Sequence, residues 1–332
     1  MSAGEKRDML LQPWQRQMIR CLFPHSAKRL RIEQAFMVKF PHIPHTLYKY
    51  RDFGNRYHLD GLEKDEQWFS SPDKFNDPLD TVASFNTSKF PVQRKSIEEA
   101  LAEVEKIRQS QEAGETWEPP KITNPIAVDD YLKGIIDTLL GHLSADDRRE
   151  LLNAVRNVNE TISDDLVSQM SAGFRNGFSV LSLSGNPTST LMWSHYAASH
   201  SGFCIEYDFG SLPYSDMRKR MCFPVFYRAK RTDISRYLAK DGEDFNNLIG
   251  QYLCLMKSPE WSYEQEWRIV YAIGSSHANR SYSMPSPSAL IVGSQVSDEH
   301  LGYARDFCAR RSIPLRQAKL SNRSNKIVIS DI

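Results

Sequence analysis

Thr46-Leu47-Tyr48-Lys49-Tyr50-Arg51 is rich in residues that favour a pleated surface and follows Pro41 and Pro44, so it predicts the first strand of a sheet. Further strands are expected at 67–71, stopped by Pro72, and at 81–85, 178–183, 202–209 and 222–227. Four more follow at 266–273, 289–293, 315–320 and 326–330. Helical spacing is expected over 12–36 with a break at Pro24, up to Lys64, and at 189–198, 244–256 and 298–311. Strands come in groups instead of alternating strictly with helices. This favours an α+β fold, with central mixed or antiparallel sheets forming a cleft, over a doubly wound parallel sheet.

The stretch 91–172 breaks the strand pattern with charged, helix-forming segments and a proline-containing connection at 116–125, and it reads as a helical insertion. Residues 1–40 read as an N-terminal helical arm, in which Arg16, Arg20, Lys28, Arg29 and Arg31 interleave with apolar positions. The expected organisation is therefore an arm at 1–40 and a single α+β domain at 41–332 carrying the insertion. Arm and insertion are the candidate surfaces for a protein partner.

Lys and Arg total 42 against 41 Asp and Glu, so no global field draws the chain to nucleic acid or an acidic membrane, and any polyanion site must be local. Apolar runs are too short to cross a bilayer and no leader pattern precedes them, so a cytoplasmic protein is expected. Five scattered cysteines without a CxxC pair fit reduced thiols and predict neither a disulfide framework nor a zinc site.

No Walker loop, GxGxxG, HExxH or GxSxG pattern is present, so the candidate chemistry rests on four local constellations. In the first strand, period-two alternation sets Lys49 and Arg51 on one face and Tyr48 and Tyr50 on the other. Cations beside aromatics suit a phosphate-bearing, ring-containing ligand; a half-buried strand with a solvated basic face has the same pattern. In Trp68-Phe69-Ser70-Ser71-Pro72 and Phe75-Asn76-Asp77-Pro78-Leu79-Asp80, Asn76 and Asp77 read either as turn formers or as site residues beside Ser71. In Met192-Trp193-Ser194-His195-Tyr196, His195 reads as a packing residue or as an acid or base. Its spacing from His200 disfavours a two-histidine metal site. Finally, in Tyr263-Glu264-Gln265-Glu266-Trp267-Arg268-Ile269, Glu264, Glu266 and Arg268 point one way along an extended chain. They form either a surface charge network or a carboxylate site.

Taken in order, the segments 47–51, 68–80, 181–208, 263–269 and 289–293 resemble the bacterial domain-of-unknown-function family 2971 over roughly residues 46–320. The combination of FNDPLD, MWSHYA with HSGFCIEYD, and YEQEWRI carries the resemblance. A more distant likeness is to the NAD-using ADP-ribosyltransferase folds, in which a first strand anchors the ligand and a late strand presents a glutamate. The likeness implies NAD as a possible cofactor, Arg51 or Lys49 as anchor and Glu264 or Glu266 as the carboxylate. This chain departs from the histidine-type transferases by placing Lys49 where they have histidine.

The reading that joins these features is a nucleotide-binding (NAD-like) protein, whose enzymatic form would be an ADP-ribosyltransferase or NAD-glycohydrolase-like enzyme of a bacterial defence or toxin system. Its cleft is lined by Tyr48, Lys49, Tyr50, Arg51, Ser71, Asn76, Asp77, Trp193, Glu264, His195 and Glu266. Glu266 would then stabilise a ribosyl cation as nicotinamide leaves. The alternatives are a non-catalytic sensor or interaction module, and a metal-dependent nuclease using Asp77, Glu206 and Asp208.

Overall fold

The structure is a computed structural model that describes residues 11–84, 175, 177–238, 244–272, 279–324 and 326–332. The expected insertion at 91–172 and the phenylalanine that ends the 81–85 segment lie outside these residues. The chain divides into two units, the first comprising 1–82, 173–231 and 246–332, the second 83–172 with 232–245.

Fourteen strands are described. In chain order they are β1 (Thr46–Arg51), β2 (Glu66–Phe69), β3 (Ala83–Ser84), β4 (Phe178–Ser184) and β5 (Phe203–Asp208). Then come β6 (Cys222–Pro224), β7 (Phe226–Tyr227), β8 (Thr232–Asp233), β9 (Met256–Lys257) and β10 (Glu266–Ala272). The last are β11 (Arg280–Ser283), β12 (Ala289–Val292), β13 (Leu315–Leu320) and β14 (Ile327–Asp331). In the second unit β3 and β8 pair in parallel, Ala83 opposite Thr232.

The first unit is built on an eight-stranded mixed sheet in the order β14-β13-β12-β5-β1-β4-β10-β6, which bears out the α+β expectation. Every neighbouring pair in it is antiparallel except β12 and β13. A parallel pair needs a crossover, and the helix Asp298–Arg311 supplies it. That helix starts on Ser297, whose side chain accepts from His300 N, and ends on Ser312 in the left-handed region. Acidic Asp298 and Glu299 in its first turn and basic Arg310 and Arg311 in its last suit the helix dipole.

Two faces of the sheet are covered. One bears a core of Leu47, Leu183, Phe203, Ile205, Ile269, Leu290 and Phe307, among others. The other packs Tyr50, Cys204 and Ile291 against Met192, Trp193 and Ala197 of the segment around the helix Thr190–Tyr196. Gly202 sits where the turn before β5 passes under β1, and a Cβ there would overlap the Arg51 carbonyl and crowd Ala197. All five cysteines are buried and free. Among the described residues no helix is long and apolar enough to cross a membrane.

Several expected elements differ in extent. The strand expected at 222–227 is split at Val225 into β6 and β7, and the helix expected at 244–256 shortens to Ile249–Leu253 because β9 takes its end. Strand β11 carried no alternating signal. It forms by pairing with β2, Tyr282 opposite Gln67.

The arm breaks near Pro24 as expected, into the helices Pro13–Leu22 and Ile32–Lys39, but it is not set apart from the sheet. Met18, Cys21, Leu22, Ala35 and Phe36 are buried, and Trp14 stacks on Trp267 of β10 at 6.3 Å between ring centroids. Lys39 is wholly buried. Its Nζ donates to the carbonyl oxygens of Lys219, Arg220 and Cys222 and lies 4.0 Å from the Phe223 ring centroid, and burial lowers its pKa to about 7. Opening this face would expose several large apolar side chains, each stabilising by ~1.5–3 kcal/mol when buried. Deleting residues 1–39 is therefore expected to abolish cooperative thermal unfolding; a truncated chain that melts like the full one would show the arm to be dispensable.

Candidate functional site

Strand β1 pairs with β5 along six positions, but with β4 at one, Tyr48 opposite Ser184. Further along, β4 turns to another partner, because Val180 exchanges both backbone hydrogen bonds with Ser70 at the end of β2. Between these two contacts β1 and β4 part. A cavity of about 910 Å3 opens there, within the ~300–1,000 Å3 typical of ligand sites. Its wall is made by β1, by β4 from Val180 to Ser184, by the helix Arg56–Glu63, by β2 and the following turn, and by residues of β9 and β10.

Tyr48, Lys49, Tyr50, Arg51, Asn76, Glu264 and Glu266, expected from sequence, all line this cavity. Lys49 Nζ donates to the Ser182 carbonyl across the parting of β1 and β4 at 2.6 Å. Arg51 donates through Nε and one terminal nitrogen to Gln67 Oε1, at 3.1 and 2.6 Å. Both acceptors are neutral, and among the described residues neither cation has a carboxylate partner. Both side chains are partly exposed and line the cavity. Burial, and then the neighbouring Arg51, hold the Lys49 pKa well below the usual lysine range; burial brings Arg51 down to about 10.

Opposite them runs a chain of buried charges. Arg268 places all five of its N–H donors: two on Asp80, at 2.8 and 2.6 Å, two on Glu266, at 2.8 and 3.1 Å, and one on the Cys254 carbonyl at 2.7 Å. Glu266 Oε2 also accepts from Lys257 at 2.9 Å, and Lys257 donates to Glu264 Oε2 at 2.6 Å. Glu264 Oε1 accepts from the Tyr196 hydroxyl at 2.9 Å, which lies 3.3 Å from Asn76 Nδ2. The two carboxylates diverge. Burial pushes the Glu264 pKa up, with the charge of Glu266 adding to it; Arg268 and then Lys257 outweigh burial at Glu266 and hold its pKa far below the usual range.

The surface-network alternative for Glu264, Glu266 and Arg268 is thereby overturned, since the three are 3%, 4% and 1% exposed. Asp80, Lys257, Gln67 and Tyr196 were not singled out in the sequence. Helical spacing could have found Tyr196, because Met192 and Tyr196 stand at i and i+4 and both reach the cavity. The same helix turns Trp193 into the core, where its Nε1 donates to the Pro187 carbonyl at 2.9 Å and its ring meets Tyr50 edge-on at 5.2 Å. His195 is exposed and does not line the cavity. Ser71 and Asp77 are also outside the wall. Ser71 donates to the Arg175 carbonyl at 2.9 Å, and Asp77 closes a turn by accepting from Leu79 N at 2.8 Å. Tyr50 lines the cavity, but its hydroxyl is taken by the Asn186 carbonyl at 2.6 Å.

Of the three carboxylates weighed for metal binding, Glu206 instead accepts from Arg316 at 2.6 Å and from Ser288 at 3.1 Å. Among the described residues no group of three His, Cys, Asp or Glu side chains could hold a metal ion.

Fold and site together define a mixed α+β protein whose sheet opens into a charge-lined cavity. Residues 192–269 match the model of the family described as "Protein of unknown function (DUF2971)". The matched stretch contains Tyr196, Lys257, Glu264, Glu266 and Arg268. No curated protein and no solved structure matches the chain.

Replacing Arg268 with Met should destabilise the protein by ~3–5 kcal/mol, because Asp80 and Glu266 would keep buried charges without a partner. Glu266→Gln is expected to cost ~2 kcal/mol or more in chemical denaturation. A Glu266 carboxylate held below its unfolded pKa stabilises above the ordinary carboxylate range, and that stability is lost as pH falls through the folded value. Wild type should therefore lose more stability on acidification than Glu266→Gln; parallel pH curves would remove Glu266 from the network's energetics.

Proposed function

We propose that the cavity binds an anionic, nucleotide-like ligand, with Arg51 as charge anchor and Lys49 beside it. The observation that carries this reading is the pair of cations on the cavity wall with only neutral acceptors. Isolated charge of this kind is expensive to bury, and a phosphate would supply the missing counter-charge. Around the cavity six cations, Lys49, Arg51, Lys64, Lys74, Lys257 and Arg268, stand with five carboxylates, Asp60, Glu66, Asp80, Glu264 and Glu266, a formal excess of one positive charge.

The enzymatic form of the proposal is cleavage of the glycosidic bond of NAD, with transfer of ADP-ribose or its hydrolysis, in a cytoplasmic bacterial defence or toxin setting. The divergent carboxylates support it. Environments that drive two carboxylates apart separate an acid–base group from a permanent charge. Glu266, clamped by Arg268 and Lys257, stays ionised and suits stabilisation of an oxocarbenium ion. Glu264, with its raised proton affinity, suits the handling of a proton at the acceptor or leaving group.

The test is titration calorimetry with NAD, ADP-ribose and inorganic phosphate, together with a nicotinamide-release assay. Arg51→Gln should weaken binding by ~1.5–3 kcal/mol, the range for a hydrogen bond to a charged group, without loss of fold. Lys49→Met should weaken binding and raise the melting temperature, since it removes an ammonium that burial disfavours. Equal phosphate affinity in wild type and Arg51→Gln would end the anion-site reading. Anion binding without nicotinamide release would retain it and remove the transferase.

A further inference from the structure

This inference rests on the anion-site reading and concerns what Lys49 does there. We propose that Lys49 is an amine nucleophile that condenses with the carbonyl group of a phosphorylated aldehyde or ketone whose phosphate is held at Arg51. Three observations support this assignment. Lys49 lines the cavity and, among the described residues, its Nζ makes one hydrogen bond, to the Ser182 carbonyl, so an uncharged amine can donate one N–H there and keep its lone pair for the cavity. Arg51, two residues on along the same strand face, places a second cation beside it, and a cationic neighbour in a low-dielectric wall keeps a lysine in its nucleophilic, neutral form. The same cavity also holds a proton-carrying pair, the Tyr196 hydroxyl and Glu264 carboxylate 2.9 Å apart.

The charges around Lys49 act in both directions. Burial and Arg51 of β1 favour the neutral amine, Glu266 of β10 and Glu264 of the preceding turn favour the ammonium, and Lys257 of β9 favours the amine again. The first two dominate, and the direction is down. The chemistry balances without a redox partner. The Nζ lone pair adds to the carbonyl carbon, the π pair moves to oxygen, and the nitrogen gives up a proton as the oxygen gains one, forming a carbinolamine. With a further proton supplied through Tyr196 and Glu264, the hydroxyl leaves as water and a carbon–nitrogen double bond remains. The protonated imine so formed is a cation, and it lies between the ligand phosphate and the two glutamates.

The experiment uses the full chain with pyridoxal 5′-phosphate, a planar aldehyde bearing a phosphate, followed by borohydride reduction and peptide mapping by mass spectrometry. Lys49 is expected to be labelled at least about tenfold faster than the other lysines at neutral pH, more slowly by pyridoxal without phosphate, and more slowly in the presence of inorganic phosphate. Lys49→Arg should lose the fast label while keeping stabilisation by phosphate in a thermal melt; Lys49→Met should lose the label whether or not the arginine variant folds. Labelling spread over exposed lysines, or unchanged in Lys49→Met, overturns the proposal. Phosphate that stabilises wild type while Lys49 stays unlabelled removes the amine role alone. Phosphate that neither stabilises the protein nor slows labelling removes the anion site as well.

Discussion

Arg268 is the side chain on which the rest of this arrangement depends. A guanidinium at 1% exposure is tolerable only when its donors are satisfied, and here each of the five has an acceptor. Those acceptors come from three separate places: the turn ending at Asp80, the backbone at Cys254, and Glu266 on its own strand. Satisfying one buried cation therefore pins the segment after β2, the approach to β9 and the start of β10 around a common point. The wall of the cavity opposite β1 is a consequence of that requirement.

The cavity sets two kinds of cation against each other. Lys257 and Arg268 are fully paired with carboxylates and act as structural charges. Lys49 and Arg51 sit on a strand that has parted from β4 and find only a carbonyl and an amide oxygen. An alternative sequence with apolar residues at positions 49 and 51 would fold at less electrostatic cost, since an unpaired buried charge is disfavoured by several kcal/mol while an apolar side chain is favoured. Such local conflict between stability and composition is characteristic of sites that meet a ligand.

Much of the sheet was legible because its strands are short runs with clear stops. The first strand, 46–51, and the segments 315–320 and 298–311 coincide with β1, β13 and the helix between β12 and β13. What escaped was set by pairing across long sequence distances. Strand β11 has no alternating pattern and exists because β2 offers it an edge. The site was legible where period two applied, as at Lys49, Arg51, Glu266 and Arg268. It was misread at Ser71 and Asp77, which carry the expected residue types but use their side chains elsewhere, Ser71 on the distant Arg175 carbonyl and Asp77 in its own turn. His195 failed for a related reason. Seven helical residues can present only one stripe to the cavity, and Met192 and Tyr196 occupy it.

The parting of Glu264 and Glu266 follows from how Lys257 is shared. One ammonium bridges both carboxylates, but Arg268 serves only Glu266. With Arg268 and a shared Lys257 on one carboxylate and only the shared Lys257 on the other, the carboxyl that holds its proton more tightly is Glu264, raised by burial and then by the Glu266 charge. With every lysine and arginine charged, the state with a proton on Glu264 sets six cations against four carboxylates around the cavity, a formal surplus that a doubly charged phosphate would balance. On the anion-site proposal, anion binding at Lys49 and Arg51 and proton retention at Glu264 would favour each other, since the proton removes a charge that repels the anion and a bound anion raises the proton affinity of Glu264. If the proposed anion binds, the site would be a single coupled titrating unit, in which the charge of the anion shifts the protonation of Glu264.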